Sequence, residues 1–121
     1  MSYLRNRIKS FGYAINGVKL LLTNEPHARI HVAAAILATG AGAYFQISAM
    51  EWVAIVMSIA IVLAAEGFNT AIELLTDLVS PNYHELAGKT KDVAAGAVLL
   101  TAMGAALVGV VIFLPKLIAL F

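Results

Sequence analysis

Apolar positions recur along this chain with the period of a helix almost throughout, and polar ones gather at the breaks between apolar runs. In residues 3–22, Leu4, Ile8, Phe11, Ile15, Val18 and Leu22 alternate at spacings of four and three, while Arg5, Arg7, Lys9, Asn16 and Lys19 fall mostly on the remaining surface. The pattern predicts an amphipathic helix. A basic amphipathic helix beside membrane spans lies in the interface, and packing between the spans is compatible with that place. Thr23-Asn24-Glu25-Pro26 breaks it. Pro26 disfavours helix at Glu25 and suits the first turn of the next helix, which holds a short span rich in Ala and Gly over 31–47.

Ser48-Ala49-Met50-Glu51 predicts a tight turn with a capping box, Ser48 paired with Glu51. The following helix runs from Glu51 to about Val79, longer than the ~20 residues that cross hydrocarbon. Its membrane part is placed at 52–72, with the remainder in the headgroup region. Ser80–Lys91 is polar and contains Pro81 and Gly88, so it reads as the one substantial loop. A third span occupies 93–114, and Pro115-Lys116 marks its exit. The expected fold is an all-α membrane protein, one domain over 1–121, with an interfacial N-terminal helix and three transmembrane helices.

Basic residues set the orientation. Arg5, Arg7, Lys9, Lys19 and Arg29 precede the first span, Lys89 and Lys91 lie between spans two and three, and only Lys116 follows the third. The N-terminus and the 80–91 loop are therefore expected on the cytoplasmic side and the C-terminus outside. Ala38 and Gly42, and Gly96, Ala105 and Gly109, are placed for close helix packing. Three short spans enclose little alone, so an oligomer is expected.

Composition agrees. Of 121 residues, 61% are hydrophobic and 12% charged, against about 45–50% and about 25% in soluble domains. A net charge of +1 argues against nucleic acid as a partner, and the absence of Cys excludes disulfides and thiol chemistry. The charged stretch Met1–Lys9 is not followed by a short apolar run with a cleavage site, so no removable signal peptide is expected.

Candidate chemistry lies on the middle helix. Glu66, Asn69, Glu73 and Asp77 are spaced by three, four and four, hence on one face. Acids so placed repel one another and need cations, protons or water nearby. Glu66 lies about 8 Å inside the expected cytoplasmic edge at ~1.5 Å per residue, and an ionisable residue at depth is a functional candidate by default. Asp77 alone reads as a solvated helix end. Glu25 and Lys91-Asp92 converge on the same membrane side. Carboxylates at the surface suit Mg²⁺ shared with substrate phosphates, Lys91 suits phosphate, and a Glu withdrawn from water has the character of a general base. The constellation suggests Mg-nucleotide phosphoryl transfer to something delivered from the bilayer.

The usual nucleotide motifs are missing. Gly88-Lys89-Thr90 resembles the end of a P-loop, but Tyr83 stands where the loop needs its first glycine, and Gly40-Ala41-Gly42 is a bare packing motif. His27 and His31 are four apart and could ligate haem or metal, yet their place beside Arg29 favours a solvated or lipid-contacting role. His84 reads as a surface-loop residue within reach of a nucleotide. Tyr44 and Trp52 flank the outer turn and fit an aromatic belt.

Glu66-Gly-Phe-Asn69-Thr70-Ala71-Ile72-Glu73, then Asp77, Tyr83-His84 and Thr90-Lys91-Asp92, together resemble the prokaryotic diacylglycerol kinase family, which includes the undecaprenol kinases. The resemblance covers nearly the whole chain. It implies a bacterial inner-membrane homotrimer with sites shared between subunits, using ATP and Mg²⁺ to phosphorylate a lipid alcohol. Glu66 then corresponds to the catalytic base, Asn69 to a residue positioning the reacting groups, and Glu25 and Glu73 to Mg²⁺ ligands holding ATP. Tyr13, Asn82, Tyr83, His84, Lys91 and Asp92 correspond to nucleotide-contacting positions. Asn6 departs from an Arg found in members that use diacylglycerol, with Arg5 or Arg7 as substitutes, and His31 departs from an acid. The Arg29-Ile30-His31 run, the Ile47–Trp52 turn and the Phe113–Lys116 end look more like the undecaprenol kinase branch. Two other readings stand beside it: a small proton-coupled transporter using Glu66, and a non-catalytic subunit docking a partner through the polar stripe.

Overall fold

The computed structural model describes residues 2–121. Four helices follow one another: α1 Ser2–Asn24, α2 Pro26–Phe45, α3 Ala49–Val79 and α4 Glu85–Ile118. No strand occurs among the described residues, and α2, α3 and α4 are long and apolar enough to cross a membrane. The all-α membrane fold is the architecture observed.

Local chemistry sets each boundary. Glu25 is extended (φ −104°, ψ 111°), as a residue before proline should be, and Pro26 opens α2. At the other end Gln46 takes the left-handed conformation (φ 50°) and the Ile47 N–H returns to the Gly42 carbonyl at 3.2 Å. The helix therefore stops at Phe45, short of the 47 expected, and Ile47 folds back into the core. The capping box at α3 is complete. Glu51 N–H donates to Ser48 Oγ at 3.2 Å and Ser48 N–H to Glu51 Oε1 at 3.0 Å.

Two expectations change. Only Ser80–His84 is non-helical between α3 and α4. His84 Nδ1 accepts the Leu86 N–H at 3.1 Å, and Glu85 places an acid in the first turn, so α4 starts about two turns before Asp92. Lys91 and Asp92 thus sit on a helix face rather than at a loop end. Pro115 lies inside α4 instead of ending it. It stands so near the helix end, at Ile118, that its missing donor removes only one intrahelical bond.

α3 and α4 form the principal hairpin, and α2 packs on α3 while barely meeting α4. Two ion pairs fall at opposite ends of the hairpin. Lys91 of α4 holds Asp77 of α3, and Lys116 donates to Glu51 Oε2 at 2.7 Å. Asp77 and Glu51 are 26 residues apart, Lys91 and Lys116 25 apart, so both pairs fit one antiparallel register. Glu51 caps its helix with one oxygen and binds Lys116 with the other.

Near that end Ile47, Ile55 and Ile112 form the core, with Phe45, Trp52 and Phe113 against them. α2 approaches through small residues. Ala28 is fully buried, and Ala35, Ala38 and Gly42 continue its inward face. A Cβ on Gly42 would lie 2.7 Å from Trp52 Cη2 and 3.0 Å from Ile47 Cδ1. Gly42 is therefore required for packing within the chain itself. Gly42→Val should destabilise the protein by about 1–3 kcal/mol, the usual result of overpacking, read as a lower thermal midpoint in detergent. Gly40→Val, where the added carbon meets nothing within 4 Å, is the control and should leave the midpoint near wild type.

Candidate active site

The carboxylates of α3 divide along the helix. Glu66 is the one buried charged residue among the described residues, 3% exposed. Its Oε1 lies 3.4 Å from Nε2 of His31 on α2. A Cβ added to Gly67 would lie 3.7 Å from Leu21 Cδ2, so the end of α1 runs beside the turn of α3 that carries Glu66. One turn further, Asn69 Nδ2 donates to Glu73 Oε1 at 3.4 Å. Three turns from Glu66, Asp77 is exposed and paired with Lys91. Buried acid, half-buried acid and exposed acid thus follow one another toward the end of the span, each with its own partner.

Two polar atoms here have none. Asn69 Oδ1 and Thr70 Oγ1 are buried and accept or donate no hydrogen bond within the chain. Such atoms are uncommon in folded proteins, and they lie beside Glu73 on the polar stretch of α3. Glu25, at the N-cap of α2, makes no capping hydrogen bond with its side chain. Arg29, one turn on, donates to the Thr23 carbonyl at 2.9 Å instead of pairing with it. Among the described residues no three His, Asp or Glu groups gather in the manner of a complete metal cage. Oxygen donors such as the uncommitted Glu25 carboxylate, and Glu73 beside the orphaned Asn69 Oδ1, are of the kind that suits a hard cation that keeps waters and borrows phosphate oxygens, as Mg²⁺ does.

The remaining candidates spread over the same end. Tyr13 on α1 and Tyr83 are exposed. Asn82 offers its carbonyl to Ser80 Oγ at 3.0 Å, and His84 caps α4. Lys91 is half-buried and Asp92 exposed. The structure joins Asn69 to Glu73 and Lys91 to Asp77, and among the described residues it joins neither Tyr13 nor Glu25 to Glu73 by any hydrogen bond or ion pair.

Beneath the His31–Glu66 pair, deeper along the spans, lies an apolar cavity of about 220 Å³. His31, Ala34 and Ala38 of α2, Ser58 and Val62 of α3, and Ala105 and Gly109 of α4 are among its lining. The lining is mostly apolar, and His31 of the pair is one of its few polar members. His31, expected in solvent or lipid, instead belongs to the site. The missed signal was a buried acid needing a cation, with a histidine on the next helix.

Comparison with known proteins identifies the family. Residues 12–113 match the family model described as prokaryotic diacylglycerol kinase. The chain belongs to the prokaryotic diacylglycerol kinase family. It is 38% identical over 114 residues to an undecaprenol kinase of Bacillus subtilis, covering 94% of this chain and 93% of that one. It is 37% identical to a diacylglycerol kinase of Synechocystis, covering 95% and 66%. A diacylglycerol kinase of Escherichia coli K12 is 33% identical over 93 residues, 77% and 76% of the two chains. As a member of this family the chain is an ATP-dependent lipid kinase, which displaces the transporter and docking-subunit readings.

A residue kept for chemistry contributes little to stability. Replacing the buried carboxylate by an amide removes a charge that hydrocarbon solvates poorly. Glu66→Gln should therefore leave the thermal midpoint in detergent unchanged or raised. A loss of more than about 3 kcal/mol, the scale of a broken structural ion pair, would mark the Glu66–His31 contact as part of the scaffold.

Proposed function

We propose that this kinase transfers the γ-phosphoryl group of Mg-ATP to the primary hydroxyl of a membrane lipid, with undecaprenol preferred over diacylglycerol. The observation that carries the reading is Glu66. It is a buried carboxylate on a membrane helix, paired with a histidine that lines an apolar cavity, and one turn from the polar residues of α3. A lipid alcohol arrives with its chain in hydrocarbon and its hydroxyl at the boundary, where such a base can meet it.

The step is an in-line displacement. The lipid oxygen attacks the γ-phosphorus, the bond to the bridging β–γ oxygen breaks, ADP leaves, and Glu66 takes the hydroxyl proton. Asn69 and Glu73 stand one and two turns outward to orient the phosphate end. Glu25 and Glu73 would hold Mg²⁺, which neutralises charge on the phosphates when bound. Lys91, released from Asp77, offers a compact positive charge to phosphate, and Tyr13, Asn82, Tyr83, His84 and Asp92 surround the nucleotide. The orphaned atoms Asn69 Oδ1 and Thr70 Oγ1 and the uncommitted Glu25 support a site finished by ligands and by neighbouring subunits of a homotrimer. The substrate preference is supported by the near-complete coverage shared with the Bacillus undecaprenol kinase.

Purified protein with Mg-ATP should phosphorylate undecaprenol faster than diacylglycerol in the same detergent, and Glu66→Gln should abolish turnover of both with the fold intact. Full activity in Glu66→Gln would sink the role of the base; faster use of diacylglycerol would reverse the preference. The site must face ATP, so the loop between α3 and α4 belongs on the cytoplasmic side of a bacterial inner membrane with the C-terminus outside. Because the chain has no native cysteine, Asn82→Cys and Phe121→Cys can be labelled separately in spheroplasts. An impermeant maleimide should react with Phe121→Cys alone, and labelling of Asn82→Cys from outside would invert the topology.

A further inference from the structure

We infer that His31 is a positioning residue for the catalytic carboxylate: its ring, which lines the apolar cavity, holds the Glu66 carboxylate in place. The inference rests on the kinase reading above and adds a residue to which that reading gives no role.

Among the described residues His31 is the sole cation-forming side chain within ion-pair reach of Glu66. Lys91 is committed to Asp77, Lys116 to Glu51, Lys89 to Glu85, and the Arg29 guanidinium to the Thr23 carbonyl. Asn69, one turn away, gives its amide hydrogen to Glu73. A buried carboxyl group without a hydrogen-bonding partner is costly. The Nε2 of His31, 3.4 Å from Oε1, supplies that partner from the neighbouring helix. Ala28 lies three residues before His31 on the same face of α2 and is fully buried, so His31 sits on the face of α2 that packs against its neighbours. The His31 side chain is 21% exposed and that of Glu66 5%. His31 also lines the cavity, so the hydroxyl of a lipid whose chain fills it would arrive beside both groups. The proton of that hydroxyl still goes to Glu66; His31 fixes where the accepting oxygen points.

The test separates packing from polarity. His31→Leu fills similar space and offers no N–H, whereas His31→Gln keeps a donor. With Mg-ATP and undecaprenol or diacylglycerol, whichever wild type uses, His31→Leu should lower kcat by roughly 10- to 100-fold, the scale of a misplaced catalytic group, with KM for ATP unchanged. His31→Gln should recover most of the rate. A Leu variant as active as wild type overturns the inference, as does a Gln variant as impaired as Leu, or a loss confined to KM for ATP. If wild type phosphorylates neither lipid, the kinase reading falls and the inference with it.

Discussion

Hydrocarbon does not solvate charge, and Glu66 lies within a span. The rest of the molecule can be understood from what that residue requires. It needs a partner, and α2 brings His31 to it. It needs a fixed depth, and the α3–α4 hairpin fixes it with two ion pairs at its ends, Asp77–Lys91 and Glu51–Lys116. Each of these pairs is partly exposed and contributes little stability, about 0–1 kcal/mol. Their effect is on register: a slip of one turn would separate both pairs at once, and would move Glu66 relative to the cavity and to Lys91.

Small residues do the complementary work. The inward face of α2 is Ala and Gly at the positions that touch α3, which allows two helices to approach closely in lipid, where burial of apolar surface gives no gain over lipid itself. Gly42 under Trp52 holds one end and Ala28 the other, with His31 between them. The same economy of side chains leaves the cavity beneath the acid. Ala105 and Gly109 on α4, which carry little or no side chain, are among the residues that line it.

Much of this was legible in the sequence. Pro26, the Ser48–Glu51 box and the helical recurrence of apolar residues set the elements, because each acts within a few residues of itself. The carboxylate face of α3 was readable for the same reason. Contacts between helices were not. Periodicity shows that a helix has faces but not how it is rotated against its neighbour, so His31 read as an interfacial residue and Asp77 as a solvated end. Both are paired across helices by packing that only the assembled fold determines. The 80–91 segment misled in another way: its polarity suggested a loop, yet His84 and Glu85 cap a helix, and polar residues at a membrane surface are as content in a helix as in a loop.

The central claim is that depth on α3 divides the labour, with the buried acid serving the lipid hydroxyl and the outer acid serving the nucleotide. Equilibrium binding of Mg-ATP to Glu66→Gln and Glu73→Gln tests it most directly. The account predicts wild-type affinity for Glu66→Gln and strongly weakened binding for Glu73→Gln. Weakened binding in Glu66→Gln with wild-type affinity in Glu73→Gln would contradict it.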